Sequence, residues 1–392
     1  MAQNYQKIGD YISVVDNRNT DGSITNLMGI SIDKCYIPSV ANVIGTDLHN
    51  YKVIRKGQFA CSLMQVSRDQ RIPLAMYTSD EPAIMSPAYV MFEVSRPDEL
   101  LPEYLELWFK RAEFDREASF YAVGGVRGSL DWEDFRKMKL PVPSLPEQRK
   151  IVHDYQAITD RIELLRKINE NLEEQASLHF ESVFGRYIPD GLNVSSTIPD
   201  GWTVATIGDF CKANSATFSG KEDVLLYLDT GSITNNYISG LQTLNTNTDE
   251  IPSRARRKVS NGDIVYSTVR PNLRHYGIIF NPPANMIVST GFAVMSMIKN
   301  APVCSEIIYM WLTRIPVVNV LNSIAENSVS TYPSIVSADL EQIKMIVPSE
   351  DVRAETGAYY KSVFQTIDCN NREISKLKRL AMLFSNQLAK EA

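Results

Sequence analysis

Two related segments lie 205 residues apart in this chain, GSLDWEDFRKMKLPVP at 128–143 and PSIVSADLEQIKMIVP at 333–348. In both, a Ser precedes an aliphatic residue, an Asp precedes Phe or Leu, and the last two residues are Val-Pro. Further pairs recur at shifts of 199 to 205 residues: Ile8-Gly9-Asp10 with Ile207-Gly208-Asp209, Lys56–Ser62 with Asn261–Ser267, and Ser86–Met91 with Ser289–Val294. A spacing this constant along a 392-residue chain indicates a tandem duplication.

Each copy has the same order of sequence patterns. Short apolar runs interrupted by Gly, Pro, Asn and Asp come first, and they are typical of strands and turns with occasional helices. One such helix per copy is predicted, at Pro102–Arg116 and Ser305–Ile315. A proline-marked extended segment follows, and then one long helix per copy, roughly Glu147–Phe184 and Asp351–Leu388. We therefore predict an α+β fold with two mixed α/β domains, 1–145 and 187–348, and two long helical segments, 146–186 and 349–392.

The two long helices carry apolar residues at alternating steps of four and three, which is the pattern of a coiled-coil seam. In each helix eight of ten seam positions are apolar, and the register is preserved at a shift of 205. The predicted seam includes Ile158, Ile162, Leu165, Asn169, Leu172, Val363, Ile367, Asn370, Ile374 and Leu377.

Two duplicated halves related by a pseudo-twofold axis would pair these helices antiparallel, with Asn169 facing Asn370. A buried polar pair in an apolar seam fixes register and orientation. The alternative is that each asparagine points to solvent at the edge of the seam. Each helix spans about 55 Å at about 1.5 Å per residue, and a rod of that length separates two domains by roughly one to two turns of DNA. The expected molecule is therefore suited to reading two half-sites on DNA that are separated by a fixed distance.

The segment that enters the first long helix, Leu140-Pro141-Val142-Pro143-Ser144-Leu145-Pro146-Glu147-Gln148, contains a PxPxxxEQ pattern. With this pattern and the duplicated layout, essentially the whole chain resembles the specificity subunit of type I restriction-modification enzymes. Ser289-Thr290-Gly291-Phe292 is also similar to a segment of the target-recognition domains of that family. The second copy departs from the pattern, because Val347-Pro348-Ser349-Glu350-Asp351 keeps the proline and the acidic residues without a Glu-Gln pair.

This resemblance implies a non-catalytic subunit in which each half is a target-recognition domain that reads one part of a split site in double-stranded DNA. The helices would act as a ruler and as a docking surface for two methyltransferase subunits. Those partners would carry S-adenosylmethionine, and a translocating nuclease subunit, where present, would use ATP and Mg. No cofactor is expected on this chain. The competing hypothesis is a two-headed coiled-coil adaptor whose domains bind proteins without DNA specificity.

Basic residues cluster in the second copy on both sides of a predicted strand, and Asp263 is the only carboxylate between positions 254 and 275. The candidate DNA contacts in this copy are Arg254, Arg256, Arg257, Lys258, Arg270, Asn272 and Arg274. In the first copy they are sparser and mixed with acidic residues: Lys52, Arg55, Lys56, Arg68, Arg71 and Arg127. Arg and Asn side chains suit phosphates as well as guanine and adenine edges. A solvated charge run is the alternative.

The composition restricts the remaining possibilities. A net charge of −6 argues against holding DNA by bulk electrostatics, so contacts must come from local patches or be shared with partners. Five scattered cysteines without a CxxC pair favour reduced thiols, and four scattered histidines predict no metal site. Asn281-Pro282-Pro283-Ala284 lacks the aromatic residue that amino-methyltransferases use to stack a flipped base, and we interpret it as a proline turn. Without a long apolar run or a secretory signal, a cytoplasmic protein with no membrane partner is expected.

Overall fold

The computed structural model describes residues 5–39, 45–122, 128–188, 191–195, 197–220, 222–328 and 332–391. The chain divides into two compact units, unit 1 with Met1–Ile162 and Leu377–Ala392, and unit 2 with Glu163–Lys376. Each unit therefore contains one globular head together with a part of each long helix.

The head of unit 1 contains short strands and helices. They are β1 (Tyr5–Lys7), β2 (Ile12–Val14), β3 (Met28–Ile30), β4 (Tyr36–Pro38), β5 (Lys52–Ile54), β6 (Phe59–Cys61), α1 (Val66–Asp69), β7 (Leu74–Met76), β8 (Ala83–Met85), β9 (Val90–Val94), α2 (Pro102–Phe109), α3 (Ala112–Tyr121), α4 (Trp132–Lys137) and β10 (Lys139–Pro141). The long helix α5 (Leu145–Phe184) follows. An antiparallel sheet has the order β2-β9-β6-β7, and the pairs β1-β10, β3-β4 and β5-β8 form smaller sheets.

The head of unit 2 repeats this plan with additional strands. Its elements are β11 (Thr203–Thr206), β12 (Cys211–Ala213), β13 (Val224–Leu228), β14 (Ile233–Thr234), β15 (Tyr237–Ile238), β16 (Gln242–Asn245), β17 (Ala255–Lys258), β18 (Ile264–Ser267), β19 (Tyr276–Ile278), β20 (Met286–Ser289), β21 (Phe292–Met297), α6 (Ser305–Thr313), α7 (Ile315–Glu326), α8 (Ser337–Glu341) and β22 (Lys344–Val347). The long helix α9 (Glu350–Glu391) follows. The sheets have the orders β12-β21-β18-β19, β16-β13-β20-β17, β11-β22 and β14-β15.

The strand orders confirm the duplication. The sheet β2-β9-β6-β7 corresponds strand by strand to β12-β21-β18-β19, and β1-β10 corresponds to β11-β22. The pair β5-β8 corresponds to β17-β20, which unit 2 extends to four strands by adding β13 and β16. Strand β13 runs parallel to β20, whereas the other pairings in this sheet are antiparallel. The two heads therefore share one framework and differ at the outer strands.

The repeated Ile-Gly-Asp motif forms one turn of 3-10 helix at the same place in each head. A Cβ atom added to Gly9 would lie 2.8 Å from the Cβ atom of Arg136 in α4. A Cβ atom added to Gly208 would lie 3.1 Å from the Cβ atom of Glu341 in α8. Glycine therefore allows the turn to pack closely against the helix that precedes the last strand of the head, which explains why both copies carry it.

The prediction of a single helix after the main sheet of each head was wrong, because two helices stand there. Helices α2 and α3 are separated at Arg111, and α6 and α7 at Arg314; the ψ angles of these arginines, 140° and 139°, lie outside the helical region. Their guanidinium groups stack on tryptophan rings, at 3.8 Å between Arg111 and Trp108 and at 4.4 Å between Arg314 and Trp311. This stacking against the preceding helix is a contact that apolar periodicity does not reveal.

The Glu-Gln pair at the start of α5 fastens this helix to the head of unit 1. The backbone N–H and the hydroxyl of Ser144 donate to the carboxylate of Glu147, at 3.0 and 2.7 Å. The amide of Gln148 is fully buried and donates to the carbonyls of Glu99 and Pro143, each at 2.8 Å. The second copy has no such pair.

At the equivalent place in unit 2, Arg353 replaces the glutamine. Its guanidinium donates to the carbonyl of Pro348 at 3.3 Å, and this carbonyl is the counterpart of the one that Gln148 contacts. One of the fastening bonds therefore survives in the second copy with a different donor.

The long helices extend over nearly the predicted residues, and inside unit 2 they pair antiparallel. His179 of α5 lies 3.0 Å from the hydroxyl of Tyr360 in α9, whereas Asn169 accepts a hydrogen bond from Asn370 at 2.8 Å. From the first of these contacts to the second, the residue number falls along α5 and rises along α9, so the two helices run in opposite directions. The predicted seam positions are buried or half-buried: Ile158, Ile162, Leu165, Asn169, Leu172, Val363, Ile367, Asn370, Ile374 and Leu377. The two asparagines thus face each other within the seam.

Candidate nucleic-acid interface

The two four-stranded sheets of unit 2 are joined by a tight turn between β20 and β21. In this turn Thr290 donates its backbone N–H to the carbonyl of Arg254 at 2.8 Å. The carbonyl of Gly291 accepts hydrogen bonds from the backbone N–H and the hydroxyl of Thr268, at 2.8 and 2.9 Å. The turn therefore connects the residue that precedes β17 with the loop that follows β18. These two segments carry the basic residues that the sequence singled out in the second copy.

The loop after β18 presents Arg270, Asn272 and Arg274 as exposed side chains. The φ angles of Arg270 and Arg274 are +48° and +56°, in the left-handed region that residues with a side chain rarely adopt. Such conformations persist where the surrounding structure holds them, and they occur preferentially at functional sites. Exposed guanidinium and amide groups on a restrained loop can bind phosphates bidentately or reach base edges.

The second of the repeated segments holds this loop in place. The backbone N–H of Ile335 donates to the carbonyl of Thr268 at 2.9 Å. In unit 1 the N–H of Leu130 donates to the carbonyl of Leu63 in the same way, also at 2.9 Å. Both donors belong to the segments that first indicated the duplication, so these segments support the loops that follow β6 and β18. Nothing in the sequence patterns indicated this role.

The four basic residues at 254–258 precede β18, the strand predicted between the two basic groups; in addition, Arg256, Arg257 and Lys258 belong to a strand of their own, β17, which Arg254 precedes. Arg254 and Arg256 are exposed, and Arg256 donates to the carbonyl of Ser253 at 2.8 Å. Arg257 is half-buried; burial lowers its pKa, and its Nη1 atom has no hydrogen-bond partner within the described residues. Lys258 forms an ion pair with Glu222 at 2.7 Å. Arg254 and Arg256 are therefore the residues of this group that reach solvent most fully.

Asp263 does not offset the positive charge of these residues at the surface. Its side chain is only 6% exposed and accepts a hydrogen bond from the backbone N–H of Ser260 at 2.7 Å. Burial raises the pKa of this carboxyl group, although the hydrogen bond from Ser260 opposes the rise. We conclude that Asp263 shapes the turn before β18 and does not neutralise the exposed guanidinium groups of Arg270 and Arg274.

In unit 1 most of the candidate cations are engaged by carboxylates. The ion pairs are Lys52–Asp16 at 3.5 Å, Lys56–Asp80 at 2.7 Å, Arg68–Asp69 at 2.6 Å and Arg71–Asp33 at 2.9 Å. Arg55 is exposed, and Arg127 lies outside the described residues. Ion pairs at the surface contribute little free energy, so a polyanion can displace these carboxylates. The basic surface of unit 1 is nevertheless weaker than that of unit 2.

Exposed aromatic side chains are a feature that the sequence patterns did not separate from the core. Phe120 is 75% exposed and Tyr121 is 41% exposed at the end of α3, with ring centroids 5.9 Å apart. In unit 2, Tyr332 is 59% exposed and lies just before the segment that supports the loop after β18. Exposed rings can stack on bases or insert between base steps. A surface aromatic residue looks like a core residue in sequence, since only the packing of the whole unit determines its exposure.

The described residues contain no group of three His, Cys, Asp or Glu side chains placed to hold a metal ion. The Asn-Pro-Pro-Ala segment forms a turn between β19 and β20, in which the N–H of Met286 donates to the carbonyl of Pro283 at 2.9 Å. Within the described ranges no single helix is long and apolar enough to cross a membrane; the bent pair α6 and α7 meets the length and composition criteria only when the two helices are taken together.

The chain thus belongs to the class of proteins with two similar heads, each followed by a long helix, and within unit 2 the two helices pair antiparallel. The sequence profile of the type I restriction modification DNA specificity domain matches residues 74–174 and 199–379. The chain therefore belongs to this family.

Individual relatives agree with this assignment. The chain is 24% identical over 181 residues to the type I restriction enzyme HindI specificity subunit of Haemophilus influenzae, which covers 46% of this chain and 39% of the relative. It is 28% identical over 136 residues to the type I restriction enzyme MjaIX specificity subunit of Methanocaldococcus jannaschii, covering 32% and 31%. The matches thus span well under half of each curated relative. The fold is similar to that of the type I restriction-modification S subunit from M. genitalium, with a TM-score of 0.59, 13% identity and coverage of 99% of this chain and 96% of that one.

Proposed function

We propose that this chain is the DNA specificity subunit of a type I restriction-modification complex, and that each head reads one part of a bipartite sequence in double-stranded DNA. The observation that carries the proposal is the restrained loop of unit 2, which presents Arg270, Asn272 and Arg274 at the junction of two sheets. Guanidinium and amide groups are the side chains best suited to guanine and adenine edges. The loop belongs to a duplicated framework in a chain of the DNA specificity family.

In this proposal the chemistry is performed by partners. Two methyltransferase subunits would bind S-adenosylmethionine, and a restriction subunit, where present, would use ATP and Mg. Exposed leucines on the long helices support a docking role, because large exposed apolar side chains favour burial against a partner. Leu164 and Leu178 of α5 are 50% and 64% exposed, and Leu380 and Leu383 of α9 are 48% and 49% exposed. A net charge of −6 also favours DNA binding that is shared with partners over binding by this chain alone.

The test is selection from a pool of randomised duplex DNA by the purified chain, with and without a type I methyltransferase subunit as the proposed partner. Wild-type protein with the partner is expected to enrich a bipartite motif. Replacing Arg270 and Arg274 by alanine should weaken binding to that motif by about 1–3 kcal/mol for each base that is no longer read. The matched control is Lys212→Ala with Lys299→Ala, which removes the same charge from exposed positions elsewhere in unit 2.

The control distinguishes sequence reading from general attraction to phosphates. If both double variants bind the enriched motif equally weakly, the loop contributes only charge and does not read bases. If the wild-type complex enriches no motif at all, the proposed function is wrong.

A further inference from the structure

The loop that follows β18 and carries Arg270, Asn272 and Arg274, called the candidate DNA loop below, is held by the β14–β15 hairpin. The backbone N–H of Asn235 donates to the carbonyl of Arg274 at 3.2 Å, and that of Asn236 donates to the carbonyl of Tyr276 at 3.1 Å. Both asparagines have positive φ angles, 43° and 62°, which Asn tolerates better than most residues. The conformation of Arg274 therefore depends on where this hairpin turn lies.

The side chain of Asn236 anchors the turn to the interior of the head. Its amide donates to the hydroxyl of Tyr309 in α6 at 2.7 Å, and its carbonyl oxygen accepts the backbone N–H of Ile278 at 2.9 Å. Tyr309 is only 5% exposed, so the first of these bonds is shielded from water. The turn is thus fixed to the strand and to the helix on which it packs.

A second set of hydrogen bonds connects the same turn to the long helices. Asn371 of α9 donates its side-chain amide to the backbone carbonyl of Asn236 at 3.1 Å. The carbonyl oxygen of Asn371 accepts the amide of Asn169 in α5 at 2.9 Å, and Asn169 in turn accepts the amide of Asn370 at 2.8 Å. The asparagines that face each other in the helix seam are therefore joined by a continuous chain of hydrogen bonds to the hairpin that holds Arg274.

The β3–β4 hairpin of unit 1 lies between β2 and β5, as β14–β15 lies between their counterparts β12 and β17, and it is held in a different way. At its turn the ammonium group of Lys34 lies 2.8 Å from Asp115 and donates to the carbonyl of Phe109, so its bonds go to the head. A cavity of about 580 Å³ has both this turn and helix residues such as Tyr155 and Met382 in its walls. Among the described residues, the Lys34 bonds at this turn thus reach the head of unit 1, whereas the β14–β15 turn is also bonded to Asn371 of the helix seam.

We infer that Asn371 is a positioning residue for the candidate DNA loop of unit 2. Through Asn236 it sets the place of Arg274 relative to the two helices, and through Asn169 it ties that place to the register of the helix seam. The inference rests on the proposed function, because the loop has a recognition role only if the chain reads DNA. Its consequence is that the second half-site is read at a defined distance from the helices.

The test compares three substitutions in the full-length chain. Asn371→Ala removes both links of the residue, and Asn371→Asp keeps the acceptor for Asn169 while removing the donor to Asn236. The matched control is Asn370→Ala, which deletes the neighbouring amide and leaves the hairpin link intact. In hydrogen-exchange mass spectrometry, peptides covering 233–240 and 272–279 should exchange roughly tenfold faster in both Asn371 variants and stay close to wild type in the control.

The second readout is selection from randomised duplex DNA by each variant together with the methyltransferase partner. The Asn371 variants are expected to accept more than one spacer length and to lose preference at one half-site, whereas Asn370→Ala keeps that half-site preference. Unchanged exchange in the two hairpin peptides would overturn the inference. So would a selected motif and spacer identical to those of wild type. A wild-type chain that selects no motif would instead overturn the proposed function, and the exchange data would then still decide whether the hairpin link exists.

Discussion

Replacing Glu173 by glutamine should stabilise unit 2 above neutral pH and leave its stability almost unchanged in mild acid. Burial raises the pKa of this carboxyl group on α5 to about 7, from an ordinary value of 4.5. A hydrogen bond with Asn236 opposes the rise, the neighbouring Glu170 adds to it, and the positive charge of Arg274 opposes it. Above about pH 7, Glu173 is therefore ionised although its site favours the neutral form.

The sign and the size of the effect follow from proton linkage. Between its pKa in the unfolded chain and its pKa in the folded one, the native state binds more protons at Glu173 than the unfolded state does. The free energy of unfolding is therefore highest below pH 4.5 and falls as the pH rises through about 7. At about 1.4 kcal/mol per pKa unit the full effect is on the order of 3 kcal/mol. Since the side chain keeps some contact with solvent, we expect about 2 kcal/mol.

The assay is scanning calorimetry of wild type and Glu173→Gln at pH 5 and pH 8. A gain of about 2 kcal/mol in a unit of this size raises the unfolding temperature by roughly 4–8 °C; this shift should appear at pH 8 and be several times smaller at pH 5. Glu170→Gln, one turn earlier on the exposed side of the same helix, is the matched control and should have a much smaller effect. An equal temperature shift at both pH values would refute the reasoning, because it would show that the gain does not come from the charge.

Two further predictions concern packing. Replacing Asn169 and Asn370 together by leucine should raise the unfolding temperature and produce mixed pairing states, because an apolar pair no longer specifies register; calorimetry with light scattering measures both, and a lower unfolding temperature with a single state would contradict it. Gly277→Ala should lower the stability of unit 2 by about 1–3 kcal/mol in urea titrations, since the new Cβ atom would lie 3.0 Å from the Cα atom of Asn236. Gly240→Ala, which has no atom within 4 Å of the new Cβ position, should leave it unchanged.

The long helices could be predicted almost to their ends because their signal is local. Seam residues recur every three or four positions, so a window of one or two turns is enough to recognise them. The break between α2 and α3 was missed because apolar periodicity carries no information about the stacking of the Arg111 guanidinium on Trp108, three residues earlier. The parallel pairing of β13 with β20 was also not predicted, since it joins Leu226 to Met286 across 60 residues.

For the candidate site, the sequence indicated the residue types. It could not indicate which of these side chains are paired with carboxylates and which project into solvent. Lys258 and Arg270 look alike in the sequence. In the structure Lys258 is paired with Glu222, whereas Arg270 projects from a restrained loop. That pairing spans 36 residues along the chain and depends on how the strands fold. The link from Asn371 to the hairpin was invisible for the same reason, because it joins residues 135 positions apart.

The pairing of first and last strands in each head has a consequence for how such a protein can change. Tyr5 is paired with Pro141 in unit 1, and Thr203 with Val347 in unit 2. Neighbouring strands in a sheet are about 5 Å apart, so the whole insert between them is attached through a narrow two-stranded stem. An insert of different sequence can be grafted onto the same stem without altering the point at which the helix begins. Recombination at one of these stems can thus replace the surface of one head and leave the other head unchanged.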